Sequence, residues 1–345
     1  MTTINKAAWL MSAKANPFEV ADAPMPVPQA HEVVIRNYAV AANPVDTVQQ
    51  DHGRLVNAYP HVIGSDSSGV IAAVGSAVTN FEVGDHVVAT MDNIETQRAS
   101  NGAFQFFSAT KATLVGKIPH NIAFKDACVF GMAMNTAAAG LYQKENMALP
   151  YPTVPRKPNG KTFLVWGGSS SVGACAVQLA IGSGYDVAVT AGPNNADLCR
   201  EIGAKWVFDH TKESIVDEIV GALKGSDFGG AFDAISKPDT LTKSGQIVSR
   251  LEGYKFLESV LPSRFPRPED LASDIKFGQV WGLSPGNNEV GPAIWWDWVP
   301  HALADGSLKC KPDAEVVGEG LEFCQTVLDS WKKGVSGKKI VAKLL

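Results

Sequence analysis

The stretch 162–180, TFLVWGGSSSVGACAVQLA, restricts the fold more than any other part of the chain. An apolar run of strand type breaks at Gly167 and Gly168, passes three serines, and resumes with Val172, Cys175, Ala176, Leu179 and Ala180 on one helical face. A strand entering a helix through so small a turn leaves the first helical N–H groups and the positive end of the helix dipole free of side-chain bulk. Gly173 permits close packing of that helix on the strand. The turn is therefore expected to hold a dinucleotide pyrophosphate, with Gly167 and Gly168 as cofactor-binding residues.

The alternation continues downstream. YDVAVTA, NNADLCREIGA, KWVFD, GAFDAIS, SGQIVSRLE, YKFLESV and QVWGL carry the pattern to residue 284, and roughly six of the segments from TFLVW onward read as strands. This predicts an α/β fold with a doubly wound parallel sheet of the Rossmann type. The end of the second strand, VTAGPNN, offers no Asp or Glu to hold ribose hydroxyls or repel a 2′-phosphate. NADPH is the expected cofactor, with Arg200 and His210 as positive partners; for Arg200 a solvated helix face is the plainer alternative. The ends of the fourth and fifth strands make Ser236 and Ser259 candidates to edge the nicotinamide, unless each only caps its loop.

Before this region, residues 5 to 120 form short strand-type runs (EVVIRNYAV, HVIGSDSSGVIAAVG, DHVVAT, ATLVGKIP) punctuated by Gly, Pro and Asn. Residues 124–147, rich in Ala and Met, predict a buried helix, and the tail GLEFCQTVLDSWKKGVSGKKIVAKLL predicts a helix and a terminal strand. A chain of 345 residues accommodates two domains. We expect a β-rich domain at 1–125, completed by 306–345, and a dinucleotide-binding domain at 126–305. The three indoles of AIWWDWV, residues 293–299, are expected in core packing or a subunit contact rather than in substrate stacking.

The net charge of −5, without any Lys/Arg block, argues against nucleic acid or an anionic membrane as partner and favours small molecules. Five widely spaced cysteines in apolar surroundings suit reduced thiols and a cytoplasmic location. No stretch reaches the ~18 apolar residues of a membrane span, and the N-terminus MTTINKAAWLMSAK has no long apolar core of a leader. The seven histidines are scattered outside any metal-binding spacing, and no metal is expected.

The Gly-rich segment 61–89, NPVD at 43–46 and the terminal SGKKIVAKL resemble the medium-chain dehydrogenase/reductase superfamily over nearly the whole chain. Within its zinc-free branch, NPVDT, GAFQFFSATKATLVGKIP, NTAAAG, VWGGSSSVG, GPNNADLCREIGAKWVFDH and LADGSLK resemble the fungal trans-acting enoyl reductases of polyketide pathways. The resemblance implies a GroES-like catalytic domain for the β-rich part. It also implies an NADPH site lined by Thr136, Gly168, Ser169, Ser170, Val172, Asn195, Arg200 and His210. Zinc-dependent members carry Cys at the position of Asn43 and Gly-His-Glu at Gly64, Ser65 and Asp66, so metal-free hydride transfer is implied.

A tyrosine linked with protonation in other enoyl reductases of the superfamily has no counterpart in NPVDTVQQDHGRL. His52 is the nearest group able to give a proton near neutral pH, against the alternatives of a water-facing loop histidine and protonation by solvent. Asn43 is the second catalytic candidate, placed either to orient the nicotinamide amide or to cap the following turn. Lys339 matches a basic family position, where it reaches the cofactor phosphates or stays solvated.

The expectation is an NADPH-dependent, metal-independent reductase that adds hydride to a carbon–carbon double bond conjugated to a carbonyl. Its substrate would be a small-molecule or carrier-bound enoyl group, with a polyketide synthase among the candidate partners and a monomer or homodimer as the working form. The alternatives are a quinone or alkenal oxidoreductase, a non-catalytic NADPH-binding protein, and a redox-neutral isomerase or cyclase.

Overall fold

The computed structural model describes residues 4–345; residues 1–3 of the N-terminal stretch lie outside the described part. The chain forms two compact units, Met1–Met132 with Asp313–Leu345, and Ala133–Pro312.

The first unit opens with an antiparallel pair, β1 (Asn5–Trp9) and β2 (Glu19–Ala23). There follow β3 (Glu32–Ala41), α1 (Pro44–His52), β4 (Asp66–Val74), β5 (His86–Thr90), α2 (Asn93–Thr96), β6 (Phe107–Lys111), β7 (Val115–Lys117) and α3 (Phe124–Ala127). The long strand β3, EVVIRNYAVA, is buried along most of both faces, which suits its near-continuous apolar run to a central position. It pairs antiparallel with β4 along its length and with β6 over Glu32–Arg36.

The expected helix over 124–147 is interrupted. After α3 the chain makes a tight turn at Cys128–Phe130 and starts again as α4 (Gly131–Tyr142). A side chain at Gly131 would lie 2.6 Å from Asp66 Oδ1 and 2.9 Å from the Ala89 carbonyl, so the restart is packed against β4 and β5.

The second unit, which takes α4 from Ala133 onward, contains β8 (Lys161–Trp166), α5 (Ser171–Gly182), β9 (Asp186–Ala191), α6 (Ala196–Glu201), β10 (Trp206–Asp209), α7 (Ile215–Leu223), β11 (Asp227–Asp233), α8 (Pro238–Arg250), β12 (Phe256–Ser259) and β13 (Lys276–Gln279). Its six strands are all parallel, in the order β10-β9-β8-β11-β12-β13. The first strand thus lies at the centre and the winding reverses beside it, the point at which such sheets bind ligands. Ile215, Ile219 and Leu223, one stripe of α7, pack with Leu241 and Val248 of α8 on Leu164, Ala231 and Leu257 of the sheet. Each of these large side chains contributes about 1.5–3 kcal/mol by leaving water.

The unit ends with α9 (Val290–Pro292), a π-helical turn at Ala293–Trp298 and α10 (Val299–Asp305). The chain then re-enters the first unit as β14 (Asp313–Glu319), α11 (Phe323–Lys332) and β15 (Lys338–Lys343). There β15 pairs antiparallel with the end of β3 and parallel with β14, so a strand from the far end of the sequence extends the first sheet. Among the described residues no helix is long and apolar enough to cross a membrane.

Candidate nucleotide site and a buried polar cluster

The turn between β8 and α5 is braced by its neighbouring strand. Gly167, in the left-handed region at φ 81°, donates its N–H to Thr190 Oγ1 at 3.0 Å, and Gly168 donates to the Thr190 carbonyl at 2.9 Å. The Ser170 hydroxyl caps α5 by accepting the Gly173 N–H at 3.0 Å, a task glycine has no side chain to perform. A Cβ on Gly173 would lie 2.1 Å from the Gly167 carbonyl, so the helix start sits directly against the turn. The N–H groups of Ser171 and Val172 open the helix without an intrahelical acceptor. Thr190 was missed in the sequence, where a threonine inside an apolar strand resembles any other β-former.

Beside this turn β9 ends, as its sequence suggests, without an acid. Its Ala191 carbonyl accepts the His210 N–H at 3.2 Å, and His210 Nε2 lies 3.7 Å from where a Gly192 Cβ would stand. Asn195 is half-buried at the start of α6. Arg200 projects from α6 into solvent, where its guanidinium meets only the exposed Asp197 carboxylate at 2.7 Å. Thr136 is half-buried on α4.

The two serines at the strand ends have other work. Ser236 Oγ donates to the Asp233 carbonyl at 2.7 Å and accepts the Val260 N–H at 3.0 Å, while Ser259 Oγ donates to the Gly278 carbonyl at 3.0 Å. Both are buried and fasten loop and sheet.

In the first unit, NPVD starts α1 with Asn43 at the N-cap and Pro44 in the first turn. Asp46 Oδ2 reaches back to accept the Asn43 N–H at 2.8 Å, and Asp46 Oδ1 accepts the Ser65 hydroxyl at 2.7 Å. The Lys339 ammonium, on β15, donates to Asn43 Oδ1 at 2.8 Å and pairs with Asp66 Oδ2 at 2.8 Å. Asp66 Oδ1 accepts the Met132 N–H at 2.5 Å. Asn43, Asp46, Ser65, Asp66 and Lys339 are all buried, and burial raises the Asp46 carboxyl from 3.8 to about 7, with the Asp66 charge adding to the effect.

Three of the expected site residues have partners or settings of their own. The Lys339 ammonium is held by Asp66 and Asn43 inside the first unit. Asn43 holds the cap position, yet its side-chain oxygen serves Lys339 instead of the helix; since an ammonium can only donate, Nδ2 is the atom turned away, and it is buried without a partner. His52 ends α1 in an exposed position outside this cluster. Sequence reasoning missed the cluster as a unit, although the three-residue spacing of Asn43 and Asp46 is that of a capping box.

The family model described as the alcohol dehydrogenase GroES-like domain matches residues 29–143, and that described as zinc-binding dehydrogenase matches residues 171–251. The chain is 38% identical to a trans-enoyl reductase of Aspergillus japonicus over 99% of its own length and 98% of that protein. It is 36% identical to a dehydrogenase of Emericella nidulans, over 99% of both. An alcohol dehydrogenase superfamily protein from Novosphingobium aromaticivorans has the same fold, with a TM-score of 0.79 and 22% identity over 99% of this chain and 100% of that one. A GroES-like unit joined to a Rossmann unit defines the class. The chain belongs to the medium-chain dehydrogenase/reductase superfamily and groups there with fungal trans-enoyl reductases.

The zinc in the second model's description has no matching donor set here. Among the described residues no group of three or more His, Cys, Asp and Glu is placed to hold a metal, and an ammonium already pairs with Asp66.

Proposed function

We propose that the chain is an NADPH-dependent, metal-independent enoyl reductase that saturates a double bond conjugated to a carbonyl, on an acyl chain presented by a polyketide synthase in the cytoplasm. The observation that carries this reading is the Lys339 ammonium seated between Asp66 and Asn43 in a buried cluster that, among the described residues, brings together no set of three metal donors. Reduction of an isolated carbonyl benefits from a Lewis acid on its oxygen. Conjugate addition spreads the developing charge over an enolate, for which hydrogen-bond donors suffice. The trans-enoyl reductase name of a full-length relative supports the same choice.

NADPH supplies the hydride. The Ser171 and Val172 N–H groups and the α5 dipole suit its pyrophosphate. His210 and Arg200, near an acid-free strand end, suit the 2′-phosphate. When bound, the cofactor would supply hydride for the β-carbon, and the α-carbon proton would come from water, since His52 stands in solvent.

The test is consumption of NADPH and of NADH across enoyl thioesters, free enones and quinones. Consumption of NADPH with enoyl thioesters in preference to quinones is expected. Turnover of quinones alone would replace this reading with a quinone reductase, and tight NADPH binding without turnover of any acceptor would remove catalysis from it.

A further inference from the structure

Successive N–H groups run from Gly167 through the turn into α5 as far as Ala174, and most of them are paired within the fold. Gly167 donates to Thr190 Oγ1 at 3.0 Å and Gly168 to the Thr190 carbonyl at 2.9 Å. Ser170 donates to the Gly167 carbonyl at 3.0 Å, Gly173 to Ser170 Oγ at 3.0 Å and Ala174 to the Ser170 carbonyl at 2.8 Å. The remaining donors are those of Ser169, Ser171 and Val172, which among the described residues meet no protein acceptor and belong to half-buried positions within reach of solvent. Each backbone N–H needs a partner, so donors that the fold leaves open are filled by water or by an anion.

This division depends on a side chain in the neighbouring strand. Thr190, in β9, is fully buried, so it meets no ligand itself. It holds the turn twice, by its carbonyl on Gly168 and by its hydroxyl oxygen on Gly167. Any residue would supply the carbonyl. The second bond needs an acceptor attached directly to Cβ, which valine and isoleucine, the other β-branched strand formers, do not have. Gly167 stands at φ 81°, and a glycine takes up positive and negative φ with similar ease. A bond that pins its N–H therefore selects one turn among several open to it.

We infer that Thr190 is a positioning residue for the cofactor's pyrophosphate: its hydroxyl fixes Gly167 so that the Ser169, Ser171 and Val172 N–H groups stay open together as an anion-binding set. The inference rests on the nucleotide site proposed above and deepens it, adding Ser169 to the donors and a buried strand residue to what determines affinity. Consecutive N–H groups held around a turn attract anions through fixed partial charges, so a change in the turn changes the binding without touching the ligand.

The test compares NADPH with adenosine 2′-monophosphate, which keeps the adenosine and the 2′-phosphate and has no pyrophosphate, in titrations of wild type, Thr190→Val and Thr190→Ser. Valine keeps the branched shape of threonine and removes the acceptor. Thr190→Val should weaken NADPH roughly tenfold, the order of one hydrogen bond lost from the turn, and leave adenosine 2′-monophosphate unchanged. Thr190→Ser, which restores the hydroxyl, should bind NADPH as wild type does. Equal weakening of both ligands by valine, undiminished NADPH affinity, or a serine variant as weak as the valine variant would each overturn the inference. Amide hydrogen exchange of the wild-type chain provides a second measurement. Gly167 should be protected with and without NADPH, and Ser169, Ser171 and Val172 only with it. This comparison decides should Thr190→Val fail to fold or adenosine 2′-monophosphate bind too weakly to titrate; rapid exchange at Gly167 in the free chain, or at all three donors in the complex, would overturn the inference. A wild-type chain that binds NADPH and gives any of these contrary results loses this inference alone, whereas one that binds no nicotinamide cofactor loses the proposed site with it.

Discussion

Lys339 is the residue on which the buried cluster of the first unit turns. It sits among two carboxylates and an amide with almost no exposure, so removing its charge leaves Asp66 buried and uncompensated. Lys339→Met is expected to cost about 3–5 kcal/mol, the usual penalty for breaking a buried pair from one side. The double variant Asp66→Asn with Lys339→Met should recover part of that loss; thermal unfolding of the three proteins checks the order. Asp46 adds a pH dependence of definite sign. Its carboxyl holds a proton in the folded chain up to about 7, whereas the unfolded chain releases it near 3.8. The folded state thus binds more protons between these values, and the stability contributed by this group falls as pH rises through that window. The difference in melting temperature between Asp46→Asn and wild type should therefore shift in favour of the variant from acid to neutral pH. A difference independent of pH would mean that Asp46 is ionised throughout.

Among the elements, α5 and its entry turn carry the nucleotide reading. Gly173→Ala would drive a methyl group into the Gly167 carbonyl, a backbone group that cannot swing aside as a flexible side chain would. NADPH affinity should fall by at least tenfold, together with some loss of thermal stability, and a titration by nicotinamide fluorescence measures it. Arg200→Ala, on the exposed face of α6, should weaken NADPH several-fold and leave NADH unchanged, with the difference shrinking at high salt as expected for an exposed charge contact. These elements were legible in the sequence because apolar periodicity and glycine placement are local signals: the turn at Gly167, the helix on Val172 and the acid-free end of β9 lie within some thirty residues, a span set by the βαβ unit. The use of Ser236 and Ser259 was not legible, since whether a hydroxyl at a strand end faces a ligand or a carbonyl depends on Val260 and Gly278, which only the folded sheet brings within reach. The break in the expected helix at 124–147 was hidden for a related reason: Gly131 answers to Asp66, a residue sixty-five positions earlier in the chain.

At the scale of the molecule, the sequence changes pattern along its length, short strands first and strand–helix alternation afterwards. What the pattern could not convey is the return of β15 to β3, which carries Lys339 to Asn43 across nearly the whole sequence. The reading of function follows from that long-range contact more than from any motif. Its most direct test is transfer of deuterium from NADPH labelled at C4 of the ring to an enoyl thioester, using protein freed of divalent metals by chelation. The account predicts a saturated thioester carrying the label on its β-carbon, at a rate unchanged by chelation. Loss of activity on chelation, restored by added zinc, would contradict it, as would a product with the label on a carbinol carbon and the double bond intact.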